Sequence, residues 1–107
     1  MLRVLALICL AGTLLGADFE DPASEVIVTF TSARFDPAVI ETRRGVKVTF
    51  HCLEEKQGGH VLVAGDGSFE SWPLGVNGQW SHRFTERGTH GFHVKDHPET
   101  KGRAVVK

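Results

Sequence analysis

The sequence predicts an all-β protein built as a single antiparallel β-sandwich with Greek-key connections. Several short segments of the 107-residue chain are rich in Val, Ile, Thr and Phe, which are typical of strands. Turn signals such as Asp66-Gly67 and Asn77-Gly78 separate these segments. No window of about 11 residues has the apolar periodicity of an amphipathic helix. Short strands with turn signals at close intervals are typical of β-sandwiches.

Seven strands are expected, and residues 46–52 show the clearest pattern. Val48, Phe50 and Cys52 alternate there with polar side chains, and this period of two predicts a half-buried strand. Residues 54–59 are polar and end in glycine, so we expect a solvated loop. The other expected strands span residues 25–31, 35–40, 60–64, 79–84, 89–94 and 103–107.

The first residues (1–17) have the layout of a secretory signal peptide. A positively charged start is followed by an apolar run over residues 4–15 and by small residues up to Ala17. The run is too short to span a bilayer as a helix, although an uncleaved anchor is the alternative. Cleavage near Ala17 predicts a periplasmic or secreted protein. It would have a flexible acidic start (residues 18–24) and one domain (residues 25–107) with a modest core.

The composition argues against several classes of protein. The formal charge is −1 and no basic run exceeds Arg43-Arg44, so no nucleic-acid partner is expected. Cys52 would be the only cysteine after cleavage, so the mature chain cannot form an internal disulfide. The serines lack the Gly-x-Ser-x-Gly context of a nucleophile, and no phosphate-binding glycine loop is present. We therefore expect a monomer and do not favour an enzyme.

Histidines are concentrated near the end of the chain. His90, His93 and His97 lie close together between two expected strands, and His60 begins another strand. Neutral imidazole is a good ligand for Cu(II), Zn(II) and Ni(II). Metal binding is therefore the leading interpretation of this pattern.

A set of short motifs, in this order and spacing, resembles a cupredoxin. The motifs are Phe35-x-Pro37, Gly45-x-Lys-Val-Thr-Phe50, His60-Val-Leu-Val, Asn77-Gly-Gln-x-Ser-x-x-Phe84, Gly88-Thr-x-Gly-Phe92, His97-Pro98 and Gly102-x-x-Val105. The resemblance covers residues 25–107 and implies a β-sandwich that binds one copper ion at one end. Residues 97–103 are also similar to cupredoxin-like periplasmic proteins linked to bacterial iron or copper uptake, which lack the blue-copper cysteine.

The resemblance implies that His60 and His97 are metal ligands, one from the start of a middle strand and one from the final loop. The position of the family's cysteine ligand is occupied by Val94, and that of the axial methionine by Thr100. A blue site depends on a short copper–thiolate bond, and valine has no lone pair to offer. A standard blue electron carrier is therefore not expected.

His93, Asp96 and Cys52 are candidates for a third ligand, with water as the alternative, and Glu99 is a further carboxylate in the same turn. His93 would point outward from its strand, although the turn that follows can swing it back. Asp96 can supply a carboxylate oxygen, as can Glu99, or both are solvated loop acids. Cys52 can offer a thiolate, or it is a small buried hydrophobic residue.

The remaining histidines are expected to have structural roles. We expect His90 in the core, hydrogen-bonded to the backbone. His51 and His82 are expected to point outward from their strands and lie on the surface.

These observations favour an exported protein that holds one copper ion at a His-based, non-blue site, for periplasmic copper or iron handling or uptake. Iron and zinc are the alternative metals. The expected partner is a membrane metal transporter or a periplasmic redox protein. Two other functions stay open: a redox component that oxidises Fe(II) in an iron-uptake system, and a metal-free interaction domain.

Overall fold

The computed structural model describes residues 25–107, which form two four-stranded sheets. The strands are β1 (Glu25–Phe30), β2 (Phe35–Asp36), β3 (Val39–Thr42), β4 (Lys47–Cys52), β5 (Leu62–Ala64), β6 (Gln79–Arg83), β7 (Gly88–Val94) and β8 (His97–Val106). The described part of the chain contains no helix that is long and apolar enough to cross a membrane. The expected signal peptide (residues 1–17) and flexible start (residues 18–24) lie outside the described residues.

The two sheets have the strand orders β2-β1-β4-β6 and β3-β8-β7-β5. The expected all-β sandwich is thus confirmed. Two pairs, β1 with β4 and β3 with β8, run parallel, whereas a purely antiparallel arrangement was expected. Parallel neighbours arise because the chain crosses from one sheet to the other between strands, so that two strands adjacent in a sheet are not adjacent in sequence.

Aromatic side chains fill the space between the sheets. The ring of Phe92 lies edge-on to Phe35 and Phe50, with ring centroids 4.9 and 5.1 Å apart, respectively. Val48, Phe50 and Cys52 are fully buried, as the alternation in β4 predicts, but Thr49 on the opposite face is buried as well. Burying each large apolar side chain contributes about 1.5–3 kcal/mol, so these rings are a main source of stability.

The end of the chain differs from the prediction. Strand β8 begins at His97 rather than at residue 103, and only Lys95 and Asp96 separate it from β7. The pairing of the two strands shifts at His93/Val94. The long final loop expected from the resemblance is therefore a short hairpin turn, and His97 occupies the first position of a strand. The reason is backbone pairing with β7, which His97, Lys101 and Gly102 form on either side of the shift.

Candidate metal centre

His60 lies at the end of the sandwich where β4 and β7 finish. It forms an isolated bridge with Leu74 rather than starting a strand, and β5 begins at Leu62. Backbone hydrogen bonds of 2.9 and 2.8 Å to Leu74 fix its position. The preceding Gly59 has φ +77, and a Cβ there would approach the Leu74 nitrogen to 2.9 Å. Glycine is therefore required at residue 59 to bring His60 to this place.

The His60 ring is 1% exposed and its two nitrogens have different environments. Nε2 lies 3.0 Å from Oε1 of Glu54. An ionised carboxylate only accepts hydrogen bonds, so in the neutral ring Nε2 carries the hydrogen and Nδ1 keeps its lone pair. Nδ1 is buried without a hydrogen-bond partner. A buried nitrogen with a free lone pair is the kind of atom that a metal ion would satisfy.

Glu54 is itself held in place from the opposite side. The Ser32 N–H donates to Oε1 at 2.7 Å, and the Ser32 hydroxyl donates to Oε2 at 3.3 Å. These hydrogen bonds, reinforced by the one to His60, lower the pKa of Glu54. Thr100, in turn, donates its hydroxyl to the carbonyl oxygen of Ser32. A chain of hydrogen bonds thus runs from Thr100 through Ser32 and Glu54 to the imidazole of His60.

His97 approaches His60 from the start of β8. The two ring centroids are 6.3 Å apart, and the rings are inclined at 61°. The side chain of His97 is 38% exposed, and its Nδ1 lies 3.4 Å from Oε2 of Glu99. The pair therefore consists of one buried and one solvent-facing imidazole at the same end of the sandwich.

Cys52 and Asp96, two of the other candidate ligands, lie in different surroundings. Cys52 is fully buried in the hydrophobic core, and its thiol donates to the Glu54 carbonyl oxygen at 3.3 Å. Burial raises the pKa of Cys52, which favours the protonated thiol. Asp96 accepts a 3.0 Å hydrogen bond from Lys56, which lowers the pKa of Asp96. Within residues 25–107, no three His, Cys, Asp or Glu side chains come together as a group that could hold a metal.

His93 lies on the outer face of its sheet. It pairs with Val63 and Lys101, and it has the opposite parity to the buried Phe92 and Val94. This is the strand orientation expected from the sequence. The shift in pairing after His93 does not bring it into a three-residue group with His60 and His97 within the described chain.

The positions of the two sulfur ligands hold side chains with other roles. Val94 is fully buried in the core, where it can pack but cannot bind a metal. Thr100 is 4% exposed and its hydroxyl is used in the hydrogen bond to Ser32. The hydrogen-bonded network therefore includes the position that the resemblance assigns to the axial methionine.

Two of the remaining histidines differ from their predicted places. His90 is hydrogen-bonded to the Glu86 carbonyl oxygen at 2.7 Å, as expected, but its side chain is only partly buried and lies outside the hydrophobic core. His82 was expected on the surface, but it pairs with the buried Val48 and so faces inward. Its ring packs against Phe69, with centroids 4.4 Å apart. The signal was present in the sequence, because residue 82 alternates in step with the aromatic residues 80 and 84.

Glu54 is a residue of this candidate site that the sequence interpretation missed. It had been assigned to a solvated loop, whereas its carboxylate is anchored by Ser32 and contacts His60. The only signal was its place between Cys52 and His60, and that spacing does not predict which way a loop side chain turns.

Solved structures show which fold this arrangement represents. A proline-to-glycine variant of amicyanin in its reduced Cu(I) form at pH 4 matches with a TM-score of 0.68 and 26% identity, over 85% of this chain and 88% of that one. The fold is that of a cupredoxin. A purple cupredoxin from Nitrosopumilus maritimus matches with a TM-score of 0.69 and 20% identity, over 77% of this chain and 99% of that one.

A third cupredoxin match is a reduced tryptophan-to-tyrosine variant of amicyanin, with a TM-score of 0.70 and 22% identity, over 85% of this chain and 90% of that one. No protein-family model and no curated protein sequence matches the chain. The low identities agree with a divergent cupredoxin fold, in which Val94 and Thr100 stand at the positions that the resemblance assigns to sulfur ligands.

Proposed function

We propose that this protein binds one copper ion at a non-blue site formed by His60 and His97, and holds or delivers that ion in an exported compartment. The observation that carries the proposal is the buried, unpartnered Nδ1 of His60, on a ring whose neighbour is the imidazole of His97. A cupredoxin fold supports the choice of copper, since the amicyanin match is a Cu(I) form.

The donor set fits copper better than a hard cation. Two imidazoles with water or a carboxylate oxygen form an N/O set, which suits Cu(II), with zinc as the alternative. Glu99 lies next to His97 and is the nearest carboxylate to its Nδ1. Within residues 25–107, no third His, Cys, Asp or Glu side chain joins the two imidazoles in a group that could hold a metal. A bound ion would therefore keep positions open to solvent or to a partner.

The exposure of His97 supports a role in transfer rather than permanent storage. His60 is buried and anchored, whereas His97 is 38% exposed and follows a short turn. A ligand on the protein surface can exchange its metal with the ligands of a second protein, such as a membrane transporter or a periplasmic redox partner. Copper or iron uptake is the process that this arrangement would serve.

Titration of the purified chain with Cu(II), followed by calorimetry and electron paramagnetic resonance, tests the proposal. We expect one ion per chain, nitrogen hyperfine coupling and only a weak visible spectrum. His97→Ala should remove most of the affinity without affecting the fold, because the side chain is partly exposed. His60→Gln tests the buried ligand, with near-ultraviolet circular dichroism as the check on folding.

His51→Ala is the matched control, because His51 is hydrogen-bonded to Asn77 outside the proposed site. Unchanged copper binding in both His60 and His97 variants would refute the proposal. Copper-dependent loss of Fe(II) in the presence of oxygen would instead support a redox component of iron uptake. Failure of the folded chain to bind copper, zinc or iron would support a metal-free interaction domain.

A further inference from the structure

The ammonium group of Lys56 bridges the two segments that carry the proposed copper ligands. Its Nζ lies 3.0 Å from Oδ2 of Asp96, the residue before His97. The same Nζ donates to the carbonyl oxygen of Gly59, the residue before His60, at 3.4 Å. One side chain thus contacts the residue directly before each imidazole, and we call these two contacts the Lys56 clasp.

The Lys56 clasp lies where regular strand pairing between the two segments has ended. The ladder of β5 and β7 finishes at Leu62 and Val94, next to the shift in the pairing of β7 with β8. Beyond the ladder, the Lys95 N–H donates to the Val61 carbonyl oxygen at 2.8 Å. The pairing of β5 with β7 therefore ends before it reaches the two imidazoles, and contacts such as the Lys56 clasp link the segments there.

The backbone of Lys56 is fixed relative to the residue before His60. The Gly59 N–H donates to the Lys56 carbonyl oxygen at 2.9 Å, which closes a tight turn. A Cβ at Gly59 would lie 2.9 Å from Cβ of Pro73, so this turn packs closely against the segment that pairs with His60. The side chain of Lys56 is 35% exposed and that of Asp96 57%. The clasp is therefore anchored on the lysine side, and its ion pair is accessible to solvent.

We propose that Lys56 is a positioning residue that holds the turn before His97 against the loop before His60 and thereby slows the release of copper. This inference rests on the proposed copper site. An ion bound by two imidazoles leaves when one of them moves away, so a link between their backbone segments opposes that step. An exposed ion pair changes an equilibrium by a factor of about two to five, and salt screens it. The clasp is thus strong enough to delay release and weak enough to open.

Amide hydrogen exchange of the metal-free chain, followed by NMR, tests the clasp directly. In Lys56→Gln the Lys95 amide should exchange about two to five times faster, because the two segments would separate more often. The Asn77 amide, which donates to the Cys52 carbonyl oxygen at 2.8 Å, is the internal reference and should not change. Unchanged exchange of the Lys95 amide would overturn the proposal, whether or not the chain binds copper.

Transfer of copper from the loaded chain to a chelator measures release. At low salt, Lys56→Gln should release copper about two to five times faster, although it also removes a positive charge that repels the ion. Lys95→Gln is the matched control, because it breaks an exposed ion pair with Glu70 and removes the same charge. It should release copper no faster than the wild type. Lys56→Arg keeps the charge and should restore the wild-type rate.

The outcomes separate this inference from the proposed function. Release from Lys56→Gln that is no faster than from Lys95→Gln would overturn the inference and leave the copper site standing. In an Asp96→Asn background, Lys56→Gln should cause no further acceleration, and an additional acceleration would mean that Lys56 acts through another contact. If the wild type binds no copper, the proposed function fails. The exchange of the Lys95 amide then still decides whether Lys56 holds the two segments together.

Discussion

The carboxylate of Glu54 lies 3.0 Å from Nε2 of His60 and leaves Nδ1 of the same ring buried and unpartnered. In many metal sites a carboxylate accepts the second ring N–H of a ligating histidine, fixes the tautomer and raises ligand basicity. Here Ser32 and Thr100 extend that support through further hydrogen bonds. These hydrogen bonds fix the imidazole of His60 and leave its Nδ1 without a partner, which is the arrangement that the proposed copper site requires.

Replacing this carboxylate tests whether it serves the metal. Glu54→Gln keeps the size of the side chain but removes its charge, so the Nε2–H loses its strongest acceptor. We expect the affinity for Cu(II) to fall about 10–100-fold, as is typical for the loss of such a partner. Competition calorimetry measures the affinity, and nitrogen NMR of the metal-free protein reports the tautomer of His60.

Glu55→Gln is the control, since residue 55 is exposed and its substitution changes the net charge by the same amount. If Glu54→Gln and Glu55→Gln bind copper equally well, Glu54 is a structural residue only. A changed tautomer with unchanged affinity would lead to the same conclusion.

The missing thiolate can be restored at residue 94. Val94 is fully buried at the position of the family's cysteine ligand, and cysteine is close to valine in size. We expect Val94→Cys with Cu(II) to develop an intense charge-transfer band in the visible spectrum that the wild type lacks. Absorption and electron paramagnetic resonance spectra measure this change.

Two further variants determine which thiol is responsible for any colour. Val94→Ser should stay pale, because a hydroxyl does not form this charge-transfer transition. Colour that disappears in a Cys52→Ser background, or that the wild type already shows, would mean that Cys52 binds the metal despite the burial that raises its pKa.

The sequence predicted those features that depend on local patterns. The alternation of apolar and polar residues identified β4. The motifs around His60 and His97 predicted that these two imidazoles lie at the same end of the sandwich, and their ring centroids are 6.3 Å apart. Features set by contacts between distant segments were missed. Glu54 turns toward His60 because Ser32, far away in sequence, donates to it, and the early start of β8 depends on its pairing with β7.

Gly102 offers a test of how closely β8 approaches the Phe92 ring and the backbone just before β3. A Cβ at residue 102 would lie 2.7 Å from both the Ala38 carbonyl oxygen and Cε1 of Phe92. Gly102→Ala should therefore cost about 1–3 kcal/mol, because a core ring and a backbone segment must shift. Gly75→Ala is the control, since nothing lies within 4 Å of its Cβ. Equal stability of the two variants in urea unfolding would show that the Phe92 ring is free to move.

The lowered pKa of His82 predicts how the stability of the fold depends on pH. Burial, together with the charge of the nearby His90, lowers the pKa of His82 below its usual value of 6.5. The unfolded chain therefore binds this proton more readily than the native chain. Stability should fall as the pH drops through about 6.5 and level off once the pH is below the lowered pKa.

His82→Phe isolates that contribution, since phenylalanine can pack against Phe69, Trp80 and Phe84 but takes up no proton. The thermal midpoint of this variant, relative to that of the wild type, should be higher at pH 5.5 than at pH 8. His51→Gln removes a different histidine and should leave the wild-type pH dependence intact. Parallel curves for wild type and His82→Phe would mean that the ring of His82 is protonated as easily in the folded chain as in the unfolded one.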